Sequence, residues 1–176
     1  MVRSIDSCFD VPHSRWNEIT SAQMTNAGLR VLVESDDAGV HLATSADGFR
    51  FVFFQGHPEY DHNSLLKEYK REVNRFVAGE INDYPPYPDR YFSENDRRLL
   101  DAYAEVVKSK RARGNALDAG DFPENDLRVD NTWRDAGRMV FSNWLGTVYQ
   151  ITDHDRRKPF MKGVKPNQPL AKIFSN

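Results

Sequence analysis

Residues 49–61 read Phe49-Arg50-Phe51-Val52-Phe53-Phe54-Gln55-Gly56-His57-Pro58-Glu59-Tyr60-Asp61, and they join an apolar run to a polar tripeptide. The apolar part, residues 51–54, is short and unbroken, and it ends at Gln55-Gly56. Such a run predicts a strand covered on both faces, as in the middle of a mostly parallel sheet. In open α/β sheets the chemistry lies just beyond the carboxyl ends of the strands, which is where His57-Pro58-Glu59 falls.

The tripeptide His57-Pro58-Glu59 has a spacing that brings two polar side chains together. Pro58 fixes its own φ and disfavours a helical conformation at His57, so the segment stays extended. Side chains two positions apart then project to the same side, where the Glu59 carboxylate can reach the His57 ring. A carboxylate on one ring nitrogen sets the tautomer and leaves the other nitrogen as a base. We interpret the pair as two members of a catalytic triad that still needs a nucleophile, with a plain polar loop as the alternative.

Composition limits the classes of function. The chain has 176 residues, 39% of them hydrophobic and 28% charged, which suits one soluble globular domain. Its net charge of −2 gives no general reason to expect binding to nucleic acid or membranes. Because no apolar run approaches the length of a membrane span and the N-terminus lacks a signal-peptide pattern, we expect a cytoplasmic protein. The single cysteine, Cys8, excludes an internal disulfide and a cysteine-based zinc cluster.

Periodicity and turn residues divide the chain into strands and helices. Three strands are predicted close together, at residues 29–34, 40–44 and 49–55, and such short connections give an antiparallel or mixed meander. Helices are predicted over residues 17–27, from Asn63 or Ser64 to Val77, from Ser93 to the basic residues before Gly114, and from Asn131 or Thr132 onward. Irregular segments are predicted at residues 82–90 and, with acidic composition, at residues 115–130.

Each long helix carries apolar residues at helical spacing, which predicts a stripe that faces the core. On the helix after Ser64 the stripe is Leu66, Tyr69, Val73, Phe76 and Val77. On the helix after Ser93 it is Leu99, Leu100, Tyr103, Val106 and Val107. The last helix has Trp133, Ala136, Val140, Trp144 and Val148, and we expect its aromatic side chains to pack in the core.

Short motifs occur in one order along the chain: Pro12-His13-Ser14-Arg15, Gly56-His57-Pro58-Glu59-Tyr60-Asp61, Glu68 through Arg71, Thr132-Trp133-Arg134, Phe141-Ser142-Asn143-Trp144-Leu145 and Val148-Tyr149-Gln150-Ile151-Thr152. In combination, over roughly residues 4–156, they resemble the homoserine O-acyltransferases, the succinyl- and acetyltransferases of methionine biosynthesis. The resemblance implies an α/β fold like that of the class I glutamine amidotransferases (flavodoxin-like), with a mixed sheet flanked by helices. It also implies a Cys-His-Glu triad whose cysteine takes the acyl group of acetyl-CoA or succinyl-CoA and passes it to homoserine.

The resemblance assigns roles to four residues of this chain. His57 resembles the general base and Glu59 the residue that orients it. Ser14 matches a serine that contacts the substrate, and Arg71 matches the arginine that binds the amino-acid carboxylate. A guanidinium suits that task because it can hold a carboxylate through two parallel hydrogen bonds. Acyl-CoA is implied as a co-substrate, with no bound cofactor and no metal.

The chain also departs from the family pattern, because the match is to the C-terminal half only. The half that carries the nucleophilic cysteine, much of the parallel sheet and a substrate-site lysine has no counterpart here. Cys8 is a poor replacement, since it has Phe9 beside it and no helix signal directly behind it to lower the thiol pKa. We therefore predict a half-domain over residues 1–156, with an insert at about 81–130, and a basic, weakly ordered tail over residues 157–176.

Three hypotheses remain open from the sequence. The chain is the C-terminal portion of a homoserine O-acyltransferase, inactive alone and partnered by the missing half or another chain, with a homodimer as a further option. It is instead a non-catalytic, partner-dependent subunit of this fold. Or it keeps the fold and acylates serine or hydrolyses a glutamine amide. The sequence separates neither acetyl-CoA from succinyl-CoA nor serine from homoserine.

Overall fold

The computed structural model describes residues 1–114, 121–171 and 173, and it divides the chain into two compact units. The first unit comprises Met1–Glu59 with Thr132–Asn176, and the second comprises Tyr60–Asn131. Residues 115–120 of the predicted acidic loop, and residues 172 and 174–176 of the predicted tail, lie outside the described residues. The predicted half-domain over residues 1–156 and the predicted insert stay predictions.

The first unit contains a small antiparallel sheet flanked by helices. Its strands are β1 (Arg30–Ser35), β2 (Gly39–Thr44) and β3 (Val52–Phe54), in the order β1-β2-β3. Helix α1 (Ser21–Asn26), capped by Thr20, contacts β1 and β2 and places Met24 against Val40 and Ala43. The predicted meander is therefore confirmed in its antiparallel form, as short connections require.

The environment predicted for residues 51–54 is wrong. Strand β3 lies at an edge of the sheet and pairs antiparallel with β2. The side chains of Phe51, Phe53 and Phe54 are 63%, 41% and 42% exposed, and the rings of Phe51 and Phe53 stack on each other with centroids 6.4 Å apart. The apolar run indicates a surface that favours burial, but the described residues of this chain do not supply the cover.

The C-terminal part of the first unit packs beneath the β2–β3 connection. Helix α4 (Arg134–Ile151) buries Val140 and Ile151, and the indole N–H of Trp144 donates to the Phe49 carbonyl at 3.4 Å. Phe49 and Ile151 form a cluster with Val164, which lies in the predicted tail. In the described part of that tail the chain forms mostly turns, with Val164 and Pro169 buried. Its weak order stays a prediction.

The second unit is helical. Helix α2 (Ser64–Val77) buries four members of its predicted stripe, Leu66, Tyr69, Val73 and Phe76. Helix α3 (Glu94–Ala112) begins after Ser93, whose hydroxyl caps it, and ends before Gly114, whose positive φ of 67° suits a residue without a side chain. These two helices share one core, with Leu66, Tyr69, Val73, Phe92, Leu100, Phe122 and Leu127 as its buried members.

The predicted stripe on α3 is only partly right. Leu100 and Val107 are buried, whereas Leu99 and Val106 are 43% and 51% exposed. A buried carboxylate, Asp96, takes one of the inner positions. It accepts hydrogen bonds from the backbone N–H and hydroxyl of Ser93 and from the backbone N–H of Arg128, at 3.2, 2.5 and 3.0 Å. The buried face of α3 therefore includes a hydrogen-bonded carboxylate, Asp96, which the spacing of apolar residues does not predict.

Candidate active site

The backbone at the end of β3 is held by one side chain and one loop. The Gln55 side chain donates to the carbonyls of Ile19 and Val40 at 2.8 and 3.0 Å, and accepts from the Ile19 N–H at 2.8 Å. Two residues later the backbone N–H of His57 donates to the Pro12 carbonyl at 2.7 Å. His57 is therefore positioned from both sides of its own peptide, by β3 and by the Val11–Arg15 loop.

The side chains of His57 and Glu59 are in contact, as predicted. The extended conformation predicted for residues 57–59 is wrong, because Pro58 and Glu59 lie in a turn. Nδ1 of His57 lies 2.8 Å from Oε1 of Glu59. Because a carboxylate only accepts hydrogen bonds, this contact places the ring proton on Nδ1 and leaves Nε2 with its lone pair. The His57 side chain is one-third exposed, at 33%, so the ring is open to solvent. The contact with Glu59 fixes the orientation of the His57 ring.

The Val11–Arg15 loop brings a second imidazole to the same place. Nδ1 of His13 contacts Nη1 of Arg15, and Nη2 of Arg15 donates to the Ala38 carbonyl at 2.5 Å. Burial lowers the pKa of His13, and positive charge on Arg15 and on His57 lowers that pKa further, while Glu18 acts in the opposite direction. His13 is therefore a neutral imidazole close enough to His57 to respond to its charge.

Gly56 allows this close packing. A Cβ atom at Gly56 would lie 2.6 Å from Cγ1 of Val11, 2.7 Å from Nδ1 of His41 and 2.9 Å from Nε2 of His13. Real Cβ atoms do not approach other atoms so closely. Because Gly56 has no side chain, Val11 and the rings of His13 and His41 can pack against its backbone.

Comparison with known proteins covers nearly the whole chain. A family model described as homoserine O-succinyltransferase matches residues 1–154. The chain belongs to this family. The resemblance identified from the motifs is thereby confirmed at the level of the family. Two proteins named homoserine O-succinyltransferase, from Allochromatium vinosum and Methylococcus capsulatus, are each 55% identical to the chain, over 177 and 173 residues. A third, from Cardiobacterium hominis, is 43% identical over 175 residues.

The chain spans about half the length of the curated relatives it matches. The alignments with the proteins from Allochromatium vinosum and Methylococcus capsulatus cover 97% of this chain but only 48% of each relative. The alignment with the protein from Cardiobacterium hominis covers 98% of this chain and 47% of the relative. Membership of the homoserine O-succinyltransferase family therefore concerns this segment, and the activity of the whole protein is a proposal.

The four site residues predicted from the family motifs fall in both units. His57 and Glu59 lie in the first unit, as does Ser14, whose side chain is exposed in the loop next to His13. Arg71 belongs to α2 in the second unit, where its side chain is 62% exposed and its Nε lies 3.1 Å from Oε1 of Glu72. The structure brings His57 and Glu59 into contact, and the roles of all four residues stay predictions.

Cys8 has an environment unlike that of a family nucleophile. Its side chain is exposed, and the first helix to follow it begins only at Ser21. A thiol is activated by a helix N-terminus or a neighbouring cation, and the next residue, Phe9, instead places its ring against the ring of His41, with centroids 6.2 Å apart. The structure gives no support for replacing the family cysteine with Cys8.

His41 is the site residue that sequence reasoning missed. It lies on β2, is 4% exposed, and packs its ring against those of His13 and Phe54, with centroids 5.9 and 5.5 Å away. Among the described residues, none hydrogen-bonds its Nδ1. Burial, with a smaller contribution from the neighbouring His13, lowers the pKa of His41 to about 4, against the raising effect of Glu59. A histidine inside the apolar run Val40–Ala43 was the available signal.

The buried imidazole makes stability depend on pH. In the unfolded chain the pKa of His41 is near its ordinary value of 6.5, whereas in the folded chain this pKa is about 4. Stability is therefore lost as the pH falls between these values, and the loss from His41 reaches about 2 kcal/mol at pH 5. Urea unfolding of the wild type and of His41→Phe at several pH values should show the variant gaining relative stability as the pH falls. The exposed His154→Phe serves as the control, and parallel pH profiles for wild type and His41→Phe would contradict the prediction.

The part of the chain that the structure describes contains neither a metal-binding cluster nor a membrane-spanning helix. Over residues 1–114, 121–171 and 173, no group of three or more histidine, cysteine or acidic side chains is arranged to hold a metal ion. No helix over the same residues has the length and apolar character needed to cross a membrane.

Proposed function

We propose that this chain is the base-bearing half of an enzyme that transfers an acyl group from acyl-CoA to the hydroxyl of L-homoserine. The observation that carries the proposal is the 2.8 Å contact between His57 Nδ1 and Glu59 Oε1 at the end of β3, in a chain of this family. The reaction would serve methionine biosynthesis in the cytoplasm. The names of the relatives favour succinyl-CoA as the donor, and acetyl-CoA is the alternative.

The proposed chemistry needs a base that works twice. Nε2 of His57 first takes the proton of a cysteine thiol supplied by the other half, and the thiolate attacks the acyl-CoA carbonyl. As the protein thioester forms, the imidazolium returns this proton to the departing CoA sulfur, so that CoA leaves as a thiol and His57 is again neutral. The same nitrogen then takes the proton of the homoserine hydroxyl, whose oxygen attacks the thioester and expels the thiolate. Glu59 holds the ring in one tautomer and stabilises the imidazolium formed in each step. Backbone amides near the cysteine would hold the oxyanion.

We also propose a homoserine-binding role for each of two further residues. Arg71 would bind the carboxylate of homoserine, because an exposed guanidinium can make two parallel hydrogen bonds to it. That task requires Arg71 to give up its contact with Glu72, which is weak because the Arg71 side chain is 62% exposed to water. Ser14 would contact the amino acid from the loop that also holds His13.

The edge of β3 supports a proposal about the partner. We place the chain in a fold like that of the class I glutamine amidotransferases, in which a larger sheet would cover this edge. The aromatic side chains of Phe51 and Phe53 are partly exposed there, and an uncovered aromatic edge is a ready surface for another chain segment. The N-terminal half of the enzyme is the occupant that we propose, and a homodimer would bring two such assemblies together.

Reconstitution tests the proposed function. This chain is assayed alone, and after co-expression with the part of the Allochromatium vinosum relative that it does not match, using L-homoserine with succinyl-CoA or acetyl-CoA. We expect no transfer by the chain alone and transfer by this two-part enzyme. Transfer by the chain alone would refute the need for a second half, and a stable but inactive two-part complex would favour a non-catalytic subunit.

A pair of surface variants tests the contact at β3. Phe51→Asp with Phe53→Asp places two charges on the proposed interface, and we expect it to reduce recovery of the two-part enzyme while the isolated chain stays folded. Val106→Asp is the matched control, because Val106 is also a half-exposed apolar residue but lies on α3. Assays with L-serine and L-glutamine in place of homoserine separate the remaining alternatives of serine acylation and amide hydrolysis.

A further inference from the structure

The contact between Arg15 and His13 fixes where the proton of a second site imidazole lies. A guanidinium carries only hydrogen-bond donors, so Nδ1 of His13, which contacts Nη1 of Arg15, must act as the acceptor. Arg15 is itself held by the Ala38 carbonyl at 2.5 Å and by Glu18, 3.6 Å away. The neutral His13 ring therefore carries its proton on Nε2.

The two imidazoles of the site are consequently opposite tautomers. Glu59 places the proton of His57 on Nδ1, which makes Nε2 of His57 an acceptor, whereas Arg15 makes Nε2 of His13 a donor. Among the described residues, none accepts a hydrogen bond from Nε2 of His13. That nitrogen lies beside Gly56, the residue before His57. An N–H group of His13 thus lies next to the segment that carries His57.

Positive charges on Arg15 and His57 favour the neutral form of His13. The positive charge that forms on His57 during proton transfer opposes a second positive charge on His13. The permanent charge on Arg15 acts in the same direction. His13 is therefore suited to donate a hydrogen bond without competing for the proton.

We propose that His13 donates its Nε2–H to an oxygen of the acyl group that reacts beside His57. It would add one donor to the backbone amides near the cysteine and so further stabilise the negative charge that develops on this oxygen. This role rests on the proposed acyl transfer. It differs from the role of His57, because His13 neither gains nor loses a proton during the reaction. It also differs from a packing role, because it depends on the Nε2–H group and not on the volume of the ring.

The tautomers can be read from this chain without any activity. Long-range ¹H–¹⁵N NMR spectra of the histidine rings at neutral pH should show protonated Nε2 for His13 and protonated Nδ1 for His57. In Arg15→Leu the donor to Nδ1 is lost, and the His13 ring should relax toward a mixture of tautomers. A His13 ring with its proton on Nδ1 in the wild type would overturn the proposal.

Two substitutions then separate hydrogen bonding from packing in the two-part enzyme. His13→Gln keeps an N–H donor near the position of Nε2, whereas His13→Asn keeps only a group near Nδ1. We expect His13→Asn to lower kcat by about 100-fold or more, the usual effect of removing one donor to a developing oxyanion, with little change in KM. We expect His13→Gln to restore most of kcat. Equal loss in both variants, or no loss in either, would refute the role.

The outcome also separates this inference from the proposed function. If the wild-type two-part enzyme transfers no acyl group, the proposed function fails, and the role of His13 in it fails with it. If the wild type is active and His13→Asn is equally active, only the role of His13 is refuted. The exposed His154→Asn is the control for nonspecific effects of replacing a histidine.

Discussion

Replacing His57 with asparagine is expected to lower kcat of the two-part enzyme by about 1,000-fold or more, in the range found when a catalytic base is removed. The asparagine amide can still donate to Glu59 near the position of Nδ1, but it offers no basic nitrogen in place of Nε2. Both proposed steps need that nitrogen, so the loss should appear in formation of the protein thioester as well as in its transfer to homoserine.

The measurement is made on single turnovers. Mass spectrometry after mixing with succinyl-CoA should show rapid addition of a succinyl group to the wild-type two-part enzyme and slow addition to His57→Asn. His154→Asn is the control, since it removes an exposed histidine outside the site. Circular dichroism of the variant chain checks that the fold is kept. Acylation of His57→Asn at the wild-type rate would show that another group is the base.

Replacing Gly56 with alanine is expected to reduce both stability and activity. The new methyl group would overlap with Val11, His41 and His13, at 2.6 to 2.9 Å, so the loop must move away. Overpacking of this kind costs about 1–3 kcal/mol. The moving loop also carries the Pro12 carbonyl, which accepts from the His57 N–H at 2.7 Å, and the base is displaced with it. A shift near 1 Å at such a group lowers the rate by about 100-fold.

The chain offers a matched control for this substitution. Gly146 lies on α4, and a Cβ atom there meets nothing within 4 Å. Gly146→Ala should therefore be neutral or stabilising by up to about 1 kcal/mol, because alanine favours the helix. Urea unfolding of both variants gives the stability change, and kcat/KM of the two-part enzyme gives the effect on activity. Adding Val11→Ala to Gly56→Ala should recover part of both losses. Wild-type behaviour of Gly56→Ala would show that the close packing is unimportant.

Local chemistry was enough to predict the contact between His57 and Glu59. The extended conformation predicted for residues 57–59 is wrong, since Pro58 and Glu59 lie in a turn. The contact itself forms because a single residue separates His57 from Glu59, so it depends little on the rest of the fold. The same is true of α2, whose apolar spacing predicts the buried stripe from Leu66 to Phe76 because the contacts repeat with the helix.

Tertiary packing decided the features that were not predicted. An apolar run such as residues 51–54 predicts that the strand favours burial. It does not show whether another part of the same chain or a different chain covers the strand. On α3 the buried Asp96 depends on Arg128, a residue 32 positions away, and no periodicity signals that pair. The roles of His13 and His41 depend on Gly56 bringing three separate segments together.

The edge of β3 has a consequence for the chain as a folding polypeptide. Of the described strands only β2 pairs with β3, so the outer N–H and C=O groups of Val52–Phe54 form a template for intermolecular hydrogen bonding. Rows of aromatic side chains on such a template favour cross-β stacking. Production of this polypeptide without a segment that covers this edge would therefore favour aggregation.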